Sequence, residues 1–242
     1  MTDQIITIYR KLFQLILILS FLSTVGAVCP GEINSSPASD KYTEKDRIYV
    51  SNPGHKDNSM FRGSVEGVIQ ATRDTVWTVL SDYNNYHKFF PRMPVTFIVD
   101  EGALEEIGRK QEWKRAEFEA LISKYRLEEP AGDIFYFYNV IDMPFPFADR
   151  WLLFKMERDP GQYNMYWKMI YGNMLITDGS WELEQYGRNS SETLAVYTTY
   201  SKSIIPIPVF IMSIGLNNTL PDIIKGLRRR VSELSIICED NK

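Results

Sequence analysis

The chain is poor in the residues on which most enzyme chemistry draws. Its 242 residues include two histidines, His55 and His87, and two cysteines, Cys29 and Cys238. Zinc centres are assembled from closely spaced Cys and His pairs, and neither CxxC nor HxxxH spacing occurs, which excludes them and leaves only carboxylate metal sites open. No GxxxxGK(S/T), GxGxxG or GxSxG run is present, so phosphate cradles, dinucleotide sites and the serine-hydrolase elbow have no support, and no cofactor is implied. A basic excess is also missing: 27 Lys and Arg stand against 31 Asp and Glu, a net charge of −4. That balance argues against a nucleic-acid partner. What the chain does have is an ordinary apolar fraction, 44%, with aromatics at 13% (14 Tyr, 13 Phe, 5 Trp). These proportions suit one large domain with bulky core residues and a short appendage.

The N-terminus reads as an address. Arg10 and Lys11 precede an apolar run from Leu12 to Val28, 17 residues, and Val25-Gly26-Ala27 places small or suitable side chains at −3 and −1 of a cut after Ala27. This order describes a secretory signal peptide over residues 1–27, with export to a periplasm or the exterior. The competing reading is a retained anchor, since the run sits at the lower limit of what spans a bilayer core of about 30 Å. Outside the cytosol Cys29 and Cys238 either pair or stay as thiols near the chain ends. Sequons begin at Asn34, Asn189 and Asn217 and matter only in a eukaryotic secretory pathway. Residues 28–60 have linker composition with a short edge strand at Arg47–Ser51, and the compact domain is expected over 61–236.

Phe61–Gln70 reads as a strand. Thr72 is a good helix N-cap with Asp74 in the first turn, and Val76, Trp77, Val79 and Leu80 follow at helical spacing. Asp82 is expected to cap a second short helix through Tyr83, Tyr86, His87, Phe89 and Phe90, with His87 exposed and Trp77 pinning the first helix to a sheet rim. After Pro94 the chain becomes a predicted antiparallel meander: Val95–Val99, Gly108–Glu117, Ala120–Glu128, Ile134–Val140, Arg150–Glu157, Tyr163–Tyr171, Gly179–Gln185 and Leu194–Ser201, most separated by turn residues. The end is helical. An apolar stretch from Pro208 to Leu216 leads into Leu220, Ile223, Ile224, Leu227, Val231 and Leu234 at i, i+3, i+4, i+7 spacing. Lys225 and Arg228 to Arg230 take the other face, and Gly215 and Pro221 are expected to kink or split the element. The fold class is α+β.

This order resembles the helix-grip layout of the START-like superfamily, also called the SRPBCC or Bet v 1-like group, which includes polyketide cyclases and coenzyme-Q-binding proteins. The resemblance rests on Ala71-Thr72-Arg73-Asp74-Thr75-Val76-Trp77-Thr78-Val79-Leu80, on Asp82-Tyr83 followed by Tyr86, Phe89 and Pro91, and on Met143-Pro144-Phe145-Pro146-Phe147-Ala148-Asp149-Arg150. It implies a curved antiparallel sheet wrapped around the long C-terminal helix, with a hydrophobic ligand held between them. It does not decide between binder and enzyme.

Alternation selects the candidate ligand-binding residues. Met165, Trp167 and Met169 share one face of their predicted strand with Tyr163 and Tyr171, and Trp181 shares one with Leu183. Tyr125 lies in phase with Leu121 and Leu127, and Trp113 with Gln111 and Arg115. An inward Arg115 would need a partner or a polar ligand head. Asp149 and Arg150 are expected either as a local ion pair or as a polar anchor at a cavity mouth. Alternation fits a filled interior as well as a hollow one; the resemblance implies the hollow one. Ile204–Met212, with Pro206 and Pro208, would line the entrance, dip into a membrane surface, or simply be buried. Two functions follow: an exported carrier of a lipid, quinone, sterol or similar hydrophobic molecule, or an aromatase/cyclase-type enzyme using acid and base groups within the cavity.

Overall fold

The elements that bound the interior come from two periodicities, two in the strands and 3.6 in the helices. The computed structural model describes residues 48–51, 60–143, 147–187, 191–202, 204 and 209–240. The signal or anchor segment, Cys29 with its pairing, the sequons at Asn34 and Asn189, and Pro206 and Pro208 lie outside the described residues.

Among the described residues nine antiparallel strands form one sheet: β1 (Ile48–Ser51), β2 (Met60–Ile69), β3 (Val95–Val99), β4 (Arg126–Leu127), β5 (Ile134–Ile141), β6 (Arg150–Asp159), β7 (Asn164–Gly172), β8 (Ile176–Tyr186) and β9 (Glu192–Lys202). Their spatial order is β1-β2-β9-β8-β7-β6-β5-β3-β4, so β5 to β9 run as a meander while β2 returns to the far side beside β9. Two short helices, α1 (Arg73–Leu80) and α2 (Tyr86–Phe89), follow β2. Two more, α3 (Ala103–Gly108) and α4 (Arg115–Ile122), sit between β3 and β4, and α5 (Val209–Asp240) ends the fold. The curved sheet grips α5, so the α+β helix-grip architecture expected from the sequence is the one observed.

The caps behave unequally. The Thr72 hydroxyl accepts from Thr75 N (3.4 Å) and opens α1, as its position predicts. Asp82 stands at the N-cap position of the 3-10 turn Tyr83–Asn85 but makes no side-chain cap bond; its carboxylate takes Asn85 Nδ2 (2.6 Å) and Arg230 (3.4 Å) instead. The adjacent Asn84 fixes this turn to the sheet: its Nδ2 donates to Leu127 O and Glu128 O (3.0 and 2.7 Å) and its Oδ1 accepts from Ile98 N (3.0 Å). Trp77 packs edge-on against Tyr163 with ring centres 6.0 Å apart, the predicted packing role.

Helix α5 is continuous, with Pro221 inside it, rather than split. Its arginines do not simply face water. Arg228 Nε donates to Val68 O (3.0 Å), Arg229 Nη2 to Phe89 O (3.2 Å), and Arg230 reaches Asp82, so the basic stripe ties the helix to β2, α2 and the turn before it. Gly226 makes this closeness possible: a β-carbon there would stand 2.3 Å from Phe89 O.

The predicted strands at Gly108–Glu117 and Ala120–Glu128 are replaced by the end of α3, by α4, by a 3-10 turn at Ser123–Tyr125 and by the two-residue β4. The reason is a helical repeat: Phe118, Leu121 and Ile122 fall on one helical face and are buried against Phe97, Tyr138, Val140, Trp151 and Leu153, on the outer face of β3, β5 and β6. A second hydrophobic layer thus backs one half of the sheet.

The phase of β7 also changes. Phe154 opposes Met169 but Leu153 opposes Tyr171, so Ile170 is an extra residue at a bulge. Tyr171 therefore leaves the inward set of Met165, Trp167 and Met169 and stacks on Phe118 in the outer layer, ring centres 5.0 Å apart.

Candidate functional site

The inner face of the sheet is solid at one end. Tyr83, Tyr86, Phe89, Phe90, Phe135 and Phe137 interlock there, with centroid distances from 4.6 Å (Phe89 to Phe90) to 6.1 Å (Tyr83 to Phe137). Beyond this plug the interior opens into a cavity of about 340 Å³. Its walls follow from strand alternation. Phe137, Asn139 and Ile141 face it from β5; Arg150, Leu152, Phe154 and Met156 from β6; Met165 and Trp167 from β7; Thr177 and Trp181 from β8; and Tyr197, Thr199 and Ser201 from β9. Thr219, Leu220 and Ile223 of α5 cover it, while Tyr86, Phe90, Arg92 and Met93 close one side.

Trp167 shapes the wall through what its neighbour lacks. It pairs across strands with Gly179, whose missing β-carbon lets the indole cross β8 and stack on Tyr197, centroids 5.2 Å apart. A β-carbon at Gly179 would lie 2.2 Å from Trp167 Cζ2. Trp181 meets Tyr197 edge-on at 5.0 Å and Phe90 at 6.2 Å, so the aromatic wall is continuous with the plug.

The polar groups are few and sit mostly at the end away from the plug. Burial pushes the Tyr197 phenol up to about 12 and the Tyr86 phenol well above its ordinary value. Both stay protonated at neutral pH, suited to donating hydrogen bonds rather than to acting as bases. Tyr86 spends its proton on Leu80 O. Asn139 is 5% exposed and its Oδ1 has no hydrogen-bond partner among the described residues. Arg150 is half-buried, and burial holds its guanidinium below the usual arginine range.

Of the residues selected from the sequence, Arg150, Met165, Trp167 and Trp181 are brought together on the cavity wall. Met169 packs against the same core but does not line the cavity. Trp113, Arg115 and Tyr125 are placed elsewhere because their segments are helical or turn. Trp113 packs on Phe118 in the outer layer and donates to Ile107 O (3.1 Å). Tyr125 donates to Glu106 (2.6 Å). Arg115 bridges Glu119 (2.9 Å) and Asp149 (3.0 Å), so Asp149 pairs with Arg115 and not with its neighbour Arg150. Sequence reasoning missed Asn139, Tyr197, Thr199 and Ser201. The signal for Asn139 was available: it is the one polar residue in phase with Phe135, Phe137 and Ile141.

Among the described residues no group of three His, Cys, Asp or Glu side chains is placed to hold a metal ion, and no helix is long and apolar enough to cross a membrane.

No family model matches the chain, and no curated protein matches it. Solved structures do. TTHA0849 from Thermus thermophilus is similar with a TM-score of 0.54 at 16% identity, over 72% of this chain and 99% of that one. A STAR-related lipid transfer protein from Xanthomonas axonopodis gives 0.53 at 14% identity, over 76% and 93%. Human STARD10 gives 0.56 at 10% identity, over 80% and 72%. At these identities the likeness is one of fold: the chain has the START-like helix-grip fold, and no narrower group within it is indicated.

Proposed function

We propose that this protein is a non-catalytic carrier that encloses a hydrophobic small molecule, such as a lipid, quinone or sterol, between the sheet and α5. The observation that carries this reading is the cavity itself, an apolar space of about 340 Å³ with aromatic and methionine walls and few polar groups. Burying each ligand methylene contributes about 0.8 kcal/mol, so a chain or ring system is held without many polar contacts. The fold supports the same reading, because one of the similar structures is that of a lipid transfer protein.

Access fits a lipid surface. Leu175, Ile176 and Ile204 are 52%, 37% and 58% exposed, and Leu175 and Ile176 stand between the cavity residues Met174 and Thr177. This apolar rim is where the carrier would touch a membrane while its cargo passes. If the N-terminal segment acts as an export signal, that exchange takes place outside the cytosol.

Native mass spectrometry of the protein purified from its own host tests the carrier reading. A co-purifying apolar molecule is the expected result. Protein that emerges empty and also fails to take up 1-dodecanol would refute it.

A further inference from the structure

We infer that the cargo is a single-chain amphiphilic acid, its carboxylate on Arg150 and a hydroxyl near the head donating to Asn139. This rests on the carrier reading and narrows it. Arg150 pairs across strands with Ile141 and Leu152 with Asn139, so Arg150 and Asn139 are diagonal neighbours on the inner face of β5 and β6. Diagonal positions lie about 7–8 Å apart, within reach of long side chains and of a two-carbon head.

Both residues line the cavity; among the described residues no hydrogen bond or opposite charge acts on the Arg150 guanidinium, and the Asn139 Oδ1 is buried without a partner. The nearest carboxylate in sequence, Asp149, is held by Arg115 (3.0 Å) and accepts from Met143 N (3.4 Å). Asp142 lines the same end of the cavity, yet no ion pair joins it to Arg150 among the described residues. A half-buried guanidinium without a counter-ion is the complement of a carboxylate, which it can grip with two parallel N–H donors. The Asn139 Oδ1 is an acceptor without a donor, and a half-turn of the amide brings it to the cavity side, where a ligand hydroxyl supplies one. Size restricts the tail. A space of about 340 Å³ is at the small end of the ~300–1,000 Å³ range of pockets that engulf small molecules, room for one chain rather than two.

The test is a titration of the full mature protein with dodecanoate, methyl dodecanoate and 3-hydroxydodecanoate, followed by tryptophan emission from the two indoles on the wall. Dodecanoate is expected to bind about tenfold to a hundredfold more tightly than its ester, and the hydroxy acid about threefold to tenfold more tightly again. Arg150→Met should abolish the preference for acid over ester, and Arg109→Met, which removes an exposed guanidinium paired with Glu105 just after α3, should leave the preference intact. Equal binding of acid and ester by the wild type overturns the inference while the carrier reading stands. A hydroxyl that adds no affinity removes the Asn139 contact. Failure of all three probes to bind overturns the carrier reading together with the inference.

Discussion

Replacing Gly226 by alanine sets two effects of opposite sign against each other. Glycine inside a helix is about 1 kcal/mol less favourable than alanine, so propensity alone predicts that Gly226→Ala stabilises the protein. The structure predicts the reverse. The new β-carbon would meet Phe89 O at 2.3 Å and Phe89 C at 3.3 Å, both backbone atoms that cannot rotate away. Ordinary contact begins near 3.4 Å, so α5 and α2 must separate by about 1 Å, and the Arg229 bond to the same carbonyl (3.2 Å) is strained with them. Overpacking of this kind costs about 1–3 kcal/mol and exceeds the propensity gain at most of that range. The net loss, about 1 kcal/mol at the middle of that range, corresponds to a Tm lower by roughly 2–4 °C for a domain of this size. Gly108→Ala is the internal control, because it lies in α3 with no heavy atom within 4 Å of the added carbon. It should leave Tm unchanged or raise it slightly. Thermal unfolding followed by circular dichroism reads both. If Gly226→Ala melts at or above the wild-type temperature, as Gly108→Ala should, the close contact between α5 and α2 is not a feature of the folded protein.

Two further outcomes follow from the cavity. Gly179→Ala should push the Trp167 indole off β8 and part β8 from β9, since the added carbon would lie 2.2 Å from Cζ2 and 2.4 Å from Thr198 O; dodecanoate uptake should fall and tryptophan emission shift, and unaltered uptake would contradict the role given to this glycine. Replacing Leu175, Ile176 and Ile204 together by serine should weaken association with phosphatidylcholine vesicles in a flotation assay without lowering dodecanoate affinity, and equal flotation of variant and wild type would remove the rim as a docking surface.

The fold was legible where one period ruled. The strands from Ile134 onward are bounded by turn residues, the first half of β7 and β8 near Trp181 alternate, and the sequence of α5 carries an apolar stripe from Leu220 to Leu234. Reading failed where two periods overlapped. Around Trp113 and Arg115 an apparent alternation hid the helical trio Phe118, Leu121 and Ile122, whose buried partners on β5 and β6 were unknown until the sheet formed. It failed again at Ile170, because a bulge inverts every side chain beyond it and no residue type announces it. The site followed the same division. Met165, Trp167 and Trp181 are products of alternation and could be named. That Asp149 turns to Arg115, 34 residues away, and not to the adjacent Arg150 is a consequence of tertiary structure alone.

The outer helices α3 and α4 make the two halves of the cavity mechanically unequal. Strands β5 and β6, bearing Asn139 and Arg150, are sandwiched between the interior and that extra layer, whereas the outward residues Tyr166, Lys168 and Ile170 of β7 are exposed. In the proposed carrier the Arg150 and Asn139 grip would therefore stand on a braced wall, and the neighbouring β7 wall, without that backing, would be the one to yield to tails of different girth. Such a container would discriminate strictly at the head and leniently along the tail.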